Sequence, residues 1–311
     1  MPLTIRPVAP FDLSLCGAIF ASGDPEIRTF REGVFRQVLR LGTVPVLVEV
    51  MSSGTVEDPA LSLMIRSDRP VTTRAMKQIQ AQVAGMLSAA DDLAPFYQAV
   101  RTDPVMADLT RSLRGLKAPI TPTVFEALTD SIIEQQISLS AARSIENRLI
   151  RMLGQQLVID GTIYYAYPDP EILAGTPDLA FRSCGLSTRK GEYIRDIARQ
   201  ITRGDLDVEG FRKIPDSEKI IADLVKIRGI GRWTAELTIL RGLHRPEAFP
   251  ADDVGVRRSI SRFYLGGEKI SSAEARTFAE RWGSWKGFAA YYLEVAGIMG
   301  IPPSASLPWR P

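Results

Sequence analysis

The sequence predicts an α+β protein, in which an N-terminal antiparallel sheet with helices is followed by an all-α bundle. Apolar and polar residues alternate through residues 30–67, the period of half-buried strands. The alternation does not return after Asp91, and apolar residues recur there at helical spacing. Residues 224–241 hold two apolar helical segments joined by a glycine-containing turn, which predicts a tight helical hairpin. These patterns divide the chain into an α+β domain, residues 1–90, and a helical region, residues 91–311.

The N-terminal domain is predicted to contain short strands and then a helix. The expected strands are Phe30–Arg40, Val44–Val50 and Ala60–Arg66. Gly42-Thr43 and residues 52–58 supply the turns between them. Apolar residues at helical spacing predict a helix over Thr72–Ser88. The pattern therefore favours an antiparallel sheet with helices on one face.

The region after residue 91 is predicted to be helical throughout. The expected helices cover residues 93–100, 104–113, 125–136, 139–153, 171–174, 178–183, 189–202, 253–264, 272–281 and 284–299. A break before Ser138 ends one helix, and Ser138 is a good N-cap for the next. Gln135 and Gln136 lie at this corner, where exposed amides are the ordinary expectation.

Composition excludes several classes of protein. The 311 residues carry a net charge of only +2 and include no low-complexity run and no stretch of membrane-span length. The start of the chain lacks the basic and then apolar pattern of a signal peptide. Two separated cysteines, Cys16 and Cys184, indicate a reducing compartment and no disulfide framework. We therefore expect a soluble cytoplasmic protein that does not bind membranes.

The hairpin turn offers a site for a phosphate. Gly229 and Gly231 carry no Cβ, so a foreign backbone can approach their N–H groups closely. The N–H groups that open the second helix add the positive end of its dipole, and Thr234 adds a hydroxyl. Such a hairpin binds nucleic-acid phosphates without discriminating sequence. An ordinary glycine helix cap explains the same residues, so the motif alone leaves both interpretations open.

Basic residues concentrate around the hairpin. Residues 226–262 contain eight basic side chains against four acidic ones, and the basic ones are Lys226, Arg228, Arg232, Arg241, Arg245, Arg257, Arg258 and Arg262. This excess is typical of an electrostatic footprint for nucleic acid, or of a solvated basic helix face.

Two carboxylates open the helix that follows the hairpin. The run Pro250-Ala-Asp-Asp-Val is typical of a helix N-terminus. The simpler explanation is that both acids cap the helix. The alternative is that one caps while the other points toward the space over the hairpin, where a phosphate and its sugar would lie.

These segments resemble a known family. Leu224–Ala235 followed by Phe249–Asp253 is similar to the signature of the helix-hairpin-helix/GPD DNA glycosylases, and most similar to their alkylation-repair branch, 3-methyladenine DNA glycosylase II. The resemblance implies a two-lobed helix-hairpin-helix glycosylase bundle, with the hairpin at residues 219–242 and an aspartate loop at residues 246–254. Arg228 stands where the family has proline.

The resemblance implies roles for residues of a base pocket. Asp253 is the expected catalytic aspartate, and Asp252 the expected cap of the helix. Trp233 is expected to stack on the extruded base, since an aromatic face attracts a cationic ring. Trp285 and Tyr292 are the other expected substrate contacts.

The resemblance also implies contacts with DNA. The expected DNA-binding residues are Gln136, Gly229, Gly231, Arg232 and Thr234. Gln136 would fill the gap that the extruded base leaves in the duplex. The N-terminal domain is expected to be a scaffold, with residues 11–20 reaching the pocket. Glu294 stands where a close relative of the branch has a further pocket tryptophan.

No catalytic cofactor is implied. Members of the superfamily that also cut the strand carry a lysine where Trp233 stands here, so a Schiff-base lyase is not expected. The two cysteines are too few for a four-cysteine iron–sulfur cluster. The resemblance implies a Na⁺ or K⁺ ion, held by the backbone carbonyls of Val225, Ile227 and Gly229 and bridging to a phosphate.

The resulting hypothesis is a monofunctional DNA glycosylase that removes alkylated bases, of the 3-methyladenine and 7-methylguanine type, from damaged double-stranded DNA by base flipping. This is the first step of base excision repair. Asp253 would stabilise the oxocarbenium character of the sugar and orient water. A cationic purine leaves as a neutral molecule, so no strong general acid is required, which fits a sole histidine, His244, in a turn.

Two alternatives remain open. One is an 8-oxoguanine-type glycosylase, and the other is a non-catalytic helix-hairpin-helix scaffold that only holds DNA. In either case we expect a monomer in the cytoplasm at the nucleoid, or in the nucleus if the source is eukaryotic.

Overall fold

The structure, a computed structural model, describes residues 3–303, so residues 304–311 of the predicted helical region lie outside it. The strands are β1 (Leu3–Ile5), β2 (Arg28–Arg31), β3 (Val34–Leu41), β4 (Val44–Ser52), β5 (Leu61–Arg66), β6 (Gln156–Ile159) and β7 (Thr162–Tyr165). The helices are α1 (Leu13–Phe20), α2 (Thr73–Met86), α3 (Ala94–Val100), α4 (Pro104–Ser112), α5 (Val124–Glu134), α6 (Leu139–Leu153), α7 (Pro170–Gly175), α8 (Asp178–Cys184), α9 (Thr188–Arg203), α10 (Ser217–Leu224), α11 (Arg232–Leu243), α12 (Val254–Tyr264), α13 (Ser272–Ala279) and α14 (Lys286–Ile298). The predicted α+β class is confirmed.

The N-terminal sheet is antiparallel, with strand order β1-β5-β4-β3-β2. The predicted strand Phe30–Arg40 is in fact two strands, because Glu32 and Gly33 adopt positive φ angles of 52° and 75° and form a hairpin turn. β3 then pairs with β4 from Val34 to Leu41. β1 was not predicted, since a strand of three residues is too short to display alternation.

The expectation of helix alone after residue 91 is wrong at one place. β6 and β7 form a separate antiparallel hairpin. Asp160 and Gly161 make its turn with φ angles of 48° and 79°. Asp-Gly is a strong signal for such a turn, but the four-residue strands beside it are too short to carry a periodic pattern of their own.

The helices predicted after residue 91 are otherwise present, with ends that differ by no more than two residues from those expected. Ser138 caps α6 as predicted, its Oγ accepting from the Ala141 N–H. Within residues 3–303, no helix is both long enough and apolar enough to cross a membrane.

The buried side chains form a core that crosses residue 90. One cluster joins the N-terminal sheet and α2 with α3, α4 and α12–α14. Phe96, fully buried on α3, lies among the rings of Trp285, Phe288 and Tyr292. A second cluster joins α5–α11. The boundary at residue 90 stays a prediction, and the cavity described below lies where the two clusters approach each other.

Lys117 ties the N-terminal segment to this core. The side chain is fully buried, and its Nζ donates to the carbonyls of Val8, at 2.8 Å, and Ala89, at 3.0 Å. Burial lowers the pKa of Lys117 from 10.5 to about 8.

The hairpin consists of α10, the turn 225–231 and α11. Gly229 has a φ of 91°, and a Cβ there would lie 2.3 Å from the Tyr193 ring. Gly231 caps α11 with an extended φ of −92°, and a Cβ there would meet nothing within 4 Å. Ile230, between them, is 5% exposed and anchors the turn in the second cluster. Packing against Tyr193 therefore requires glycine at position 229, whereas position 231 has room for a side chain.

We expect replacement of Lys117 by methionine to change how stability depends on pH. Between pH 8 and 10.5 the unfolded chain holds this proton more tightly than the folded chain, so the free energy of unfolding rises with pH in that window. The Lys117→Met variant should lack this rise. Urea unfolding of both proteins at several pH values measures the difference, and parallel curves would contradict the assignment.

The two hairpin glycines provide a matched pair of variants. Gly229→Ala forces a side chain into a left-handed conformation and against the Tyr193 ring, so it should destabilise the protein by about 2 kcal/mol or more. Gly231→Ala should lower the free energy of unfolding by less than about 1 kcal/mol. Urea unfolding provides the measurement, and equal losses would show that the Tyr193 contact is unimportant.

Candidate active site

A cavity of about 530 Å³ opens between the helical hairpin, α12, α14 and the end of α1. Asp253, Glu294 and Tyr291 lie in its wall, together with Phe20 from the N-terminal domain. Two depressions of about 500 and 540 Å³ lie near β5 and on α2, and neither is lined by Asp253. The cavity that Asp253 lines is therefore the candidate site.

Asp253 lies at the N-terminus of α12, where hydrogen bonds hold both of its side-chain oxygens. Its Oδ1 accepts from the N–H groups of Gly255, at 2.7 Å, and Val256, at 3.1 Å, so it caps the helix. Its Oδ2 accepts from the indole Nε1 of Trp233 at 2.9 Å. The prediction that Asp252 caps the helix is wrong, because α12 begins at Val254 and only the preceding residue can reach these donors. Asp253 therefore both caps α12 and contributes its carboxyl group to the cavity wall.

Trp233 has a different position from the one expected. Among the described residues, the cavity lining does not include it. Trp233 lies in the first turn of α11, and its indole N–H donates a hydrogen bond to Asp253 Oδ2. The structure thus shows Trp233 beside the carboxylate of Asp253, and its stacking on an extruded base stays a prediction.

One face of α14 lines the cavity, and it is not the predicted one. Tyr292 is fully buried on the opposite side, where its Oη donates to the Leu116 carbonyl at 2.7 Å. Trp285 packs on Phe96 in the core. Tyr291 lines the cavity instead. Successive helical residues are rotated by about 100°, so a shift of one position exchanges core for cavity. Tyr292 and Trp285 are therefore absent from the described lining of this cavity, and their substrate contacts stay a prediction.

Glu294 shares the cavity wall with Asp253. A Cβ on Gly255 would lie 2.8 Å from Glu294 Oε1 and 3.0 Å from Asp253 Oδ1, so both carboxyl groups border the same small space. Burial, and then the charge of Asp253, raises the pKa of Glu294 to about 8. Arg241 opposes this shift, but its guanidinium is bound to Glu134 at 2.7 Å. Glu294 is therefore protonated at neutral pH.

A second group of buried charges borders the other end of the cavity. Arg28, from β2, donates to Glu126 of α5 and to Glu146 of α6, both at 3.3 Å. The Tyr167 hydroxyl donates to Asp130 at 2.8 Å. Burial raises the pKa of Glu126 to about 8, although Arg28 opposes the shift. Arg28, Asp130 and Glu146 line the cavity, so its walls are charged at both ends.

The N-terminal domain also contributes apolar surface. Ile19 and Phe20, at the end of α1, line the cavity, as expected for the segment 11–20. Ser22 follows them in the lining.

The corner between α5 and α6 lies directly beside the hairpin. Gln136 is exposed and has a positive φ of 57°. Gln135 turns inward, and its Nε2 donates to the Gly229 carbonyl and to Thr234 Oγ1, both at 3.0 Å. Thr234 is only 2% exposed, so the prediction that its hydroxyl is offered to a phosphate is wrong. Among these residues, Gln136 and Gly231 remain at the surface.

The basic residues of the hairpin are largely paired. Arg232 contacts Glu218 at 2.7 Å and Glu236 at 2.9 Å. Arg228 contacts Glu192 at 3.0 Å. These acids come from α9, α10 and α11, so the basic excess expected around the hairpin is partly neutralised by neighbouring helices.

Sequence analysis marked the position of Glu294 without a role for its carboxyl group, took Gln135 for an exposed amide, and missed the cavity position of Tyr291 and the charges around Arg28. Glu126 and Asp130 offered a signal, because they lie four residues apart on a helix whose residues 124–133 are all buried. Glu294 offered one as well, as an acid between apolar residues of α14. In both cases the pattern marks a buried acid without identifying its partners.

Comparison with known proteins agrees with this geometry. Residues 129–284 match the family described as HhH-GPD superfamily base excision DNA repair protein. The DNA-3-methyladenine glycosylase of Bacillus subtilis (strain 168) is 30% identical over 263 residues, which cover 84% of this chain and 85% of that protein.

Solved structures have the same fold. A 3-methyladenine DNA-glycosylase from Archaeoglobus fulgidus aligns with a TM-score of 0.84 and 26% identity, covering 96% of this chain and 99% of its own. An 8-oxoguanine glycosylase/lyase of Clostridium acetobutylicum, in complex with DNA, aligns with a TM-score of 0.75 and 21% identity, covering 97% and 99%; at that identity it indicates the fold alone. The chain belongs to the HhH-GPD superfamily of base excision DNA repair proteins.

Proposed function

We propose that this protein is a monofunctional DNA glycosylase that hydrolyses the N-glycosidic bond of alkylated bases, of the 3-methyladenine and 7-methylguanine type, in duplex DNA. The observation that carries the proposal is Asp253, a carboxylate held by Gly255, Val256 and Trp233 at the wall of a cavity beside the hairpin. The Bacillus subtilis relative is named a DNA-3-methyladenine glycosylase, which supports this class of substrate.

In the proposed reaction the damaged base is flipped into the cavity, which brings its sugar to Asp253. The C1′–N bond breaks, and its electron pair leaves with the base, whose positive charge is thereby neutralised. Asp253 stabilises the oxocarbenium character at C1′ and accepts a proton from the water that attacks it. The carboxylate is already oriented by its donors, so little reorganisation accompanies the step.

The hairpin supplies the proposed contact with the DNA backbone. The exposed Gly231 and the first N–H groups of α11 offer donors at the positive end of a helix of 12 residues. Gln136, exposed at the adjacent corner, is in position to fill the space that the flipped base leaves. Because Arg228 and Arg232 are paired with acids, the backbone donors carry much of this contact.

The basic side chains of the cavity support a monofunctional reaction over that of an 8-oxoguanine-type lyase. Among the described residues, they are the arginines Arg28, Arg143, Arg241, Arg258 and Arg262. A lyase forms a Schiff base with the sugar and needs a primary amine, which arginine does not offer.

We propose that the hairpin turn holds a Na⁺ or K⁺ ion through the carbonyls of Val225, Ile227 and Gly229. The carbonyl of Ile227 accepts from the Ile230 N–H and that of Gly229 from Gln135, both at 3.0 Å, and each keeps a second lone pair for a cation. Neutral oxygens fit a monovalent ion, whose charge would attract the adjacent phosphate.

The direct test uses duplex DNA with a single 7-methylguanine, incubated with the native protein and with Asp253→Asn. We expect free base and an alkali-labile abasic site from the native protein, and a loss of about a hundredfold or more in the variant. Strand cutting without alkali would refute the monofunctional assignment. DNA binding without base release, from several lesions, would instead favour the scaffold.

Replacement of Trp233 by phenylalanine tests the support of Asp253. The variant keeps an aromatic ring but loses the donor to Oδ2, so we expect single-turnover base release to fall about tenfold. DNA affinity and melting temperature should change little, because Trp233 is outside the described cavity lining. A weakened affinity with an unchanged rate would mean that the indole contacts the base after all.

A further inference from the structure

We propose that Glu294 is a general acid that protonates the leaving base when that base carries no positive charge. The inference rests on the proposed function of the cavity and adds a second reacting residue to it. It assigns different tasks to two neighbouring carboxyl groups, Asp253 at the sugar and Glu294 at the base.

The geometry brings Glu294 to the reacting bond. The face of α14 that carries Tyr291, Glu294 and Ile298 lines the cavity, and Asp253 lines it from the mouth of α12. Both carboxyl groups lie within 3.0 Å of the point where a Cβ would stand on Gly255. A side chain at position 255 would crowd both carboxyl groups. A base attached to a sugar at Asp253 therefore lies next to Glu294.

The surroundings make the two acids different. Asp253 accepts hydrogen bonds from the N–H groups of Gly255 and Val256 and from the Trp233 indole, so both of its oxygens are engaged. Within residues 3–303, no side chain donates a hydrogen bond to Glu294, and Arg241 is engaged by Glu134. Environments of this kind separate an acid from a carboxylate within one site.

The charged and titratable groups around Glu294 come from each helix that encloses it. They are Glu134 from α5, Arg241 from α11, Asp253, Arg258 and Arg262 from the start and body of α12, and Tyr291 from α14. Burial and the charges of Asp253 and Glu134 raise the pKa of Glu294, and Arg241 lowers it, with a net value of about 8. The side chain therefore carries its proton up to that pH.

The proposed step balances as a hydrolysis. As the C1′–N bond breaks, its electron pair goes to the base nitrogen, and Glu294 gives its proton to an acceptor atom of the base. Water adds its oxygen to C1′ and loses a proton to Asp253. Asp253 returns that proton to solvent, and the Glu294 carboxylate takes one up. No oxidant, reductant or metal is consumed.

The charge of the base determines whether its release requires a proton from Glu294. A 7-methylguanine is cationic and leaves as a neutral molecule without protonation. Hypoxanthine is neutral and would leave as an anion unless a proton reaches it. General acid catalysis contributes roughly 100-fold to 10,000-fold in such cases. Loss of the acid should therefore affect the two bases unequally.

The experiment compares native protein and Glu294→Gln on duplexes with a single 7-methylguanine or a single hypoxanthine, under single-turnover conditions. We expect the variant to lose about a hundredfold or more on hypoxanthine and less than about threefold on 7-methylguanine. Retained activity on 7-methylguanine also shows that the variant is folded. The native rate on hypoxanthine should fall as pH rises through about 8, because the acid loses its proton, and the rate on 7-methylguanine should not.

Glu134→Gln is the matched control. Glu134 lines the same cavity, and its Oε1 accepts from Arg241 Nη1 at 2.7 Å, whereas no side chain within residues 3–303 donates to Glu294. We expect this variant to change the two rates by the same factor. A selective loss on hypoxanthine in Glu134→Gln as well would overturn the proposal, because the effect would then not be specific to Glu294.

The remaining outcomes separate the inference from the proposed function. Equal losses on both bases in Glu294→Gln would overturn the general-acid role. Release of 7-methylguanine by the native protein without any release of hypoxanthine would overturn it too, and would leave the proposed function standing. Release of neither base would overturn the proposed function, and the inference with it.

Discussion

The carboxylate of Asp253 is held from one side by the N–H groups that it caps and from the other by the Trp233 indole, and the site depends on these contacts. Trp233 belongs to α11, whose buried face packs in the second hydrophobic cluster. The capped helix α12 packs through Val256 and Ile260 in the first cluster. The carboxylate thus joins two separately packed parts of the protein, and a shift of either would misalign it.

Hydrogen bonds also connect the two parts of the surface that is proposed to face DNA. Gln135 binds the hairpin at Gly229 and Thr234, and Lys190 donates to the carbonyls of Ile133 and Gln135 at 2.8 and 2.7 Å. These hydrogen bonds tie the end of α5 to the hairpin and to α9. Because the exposed Gln136 follows Gln135, its position is fixed relative to the hairpin turn, which is what a side chain inserted into a duplex requires.

The N-terminal domain is part of the site as well as a scaffold. Phe20 closes one side of the cavity, and Arg28 neutralises acids that α5 and α6 bury against it. Burial strengthens electrostatic interactions because little solvent screens them. The same burial keeps Glu294 protonated beside a carboxylate that is stabilised by hydrogen bonds. The cavity thus places Glu294, whose pKa is raised to about 8, beside the carboxyl group of Asp253.

The sequence by itself determined the helices after residue 91, the strands β3, β4 and β5 of the first sheet, the helical hairpin and an acid beside it, because these follow from local periodicity, caps and glycine. Only the tertiary structure decided that Asp253 and not Asp252 caps α12, that Trp233 supports a carboxylate, and that Tyr291 lines the cavity in place of Tyr292. Each of these depends on how one helix is rotated and packed against another. Contacts between residues distant in the chain fix that rotation. Such contacts cannot be read from local sequence patterns.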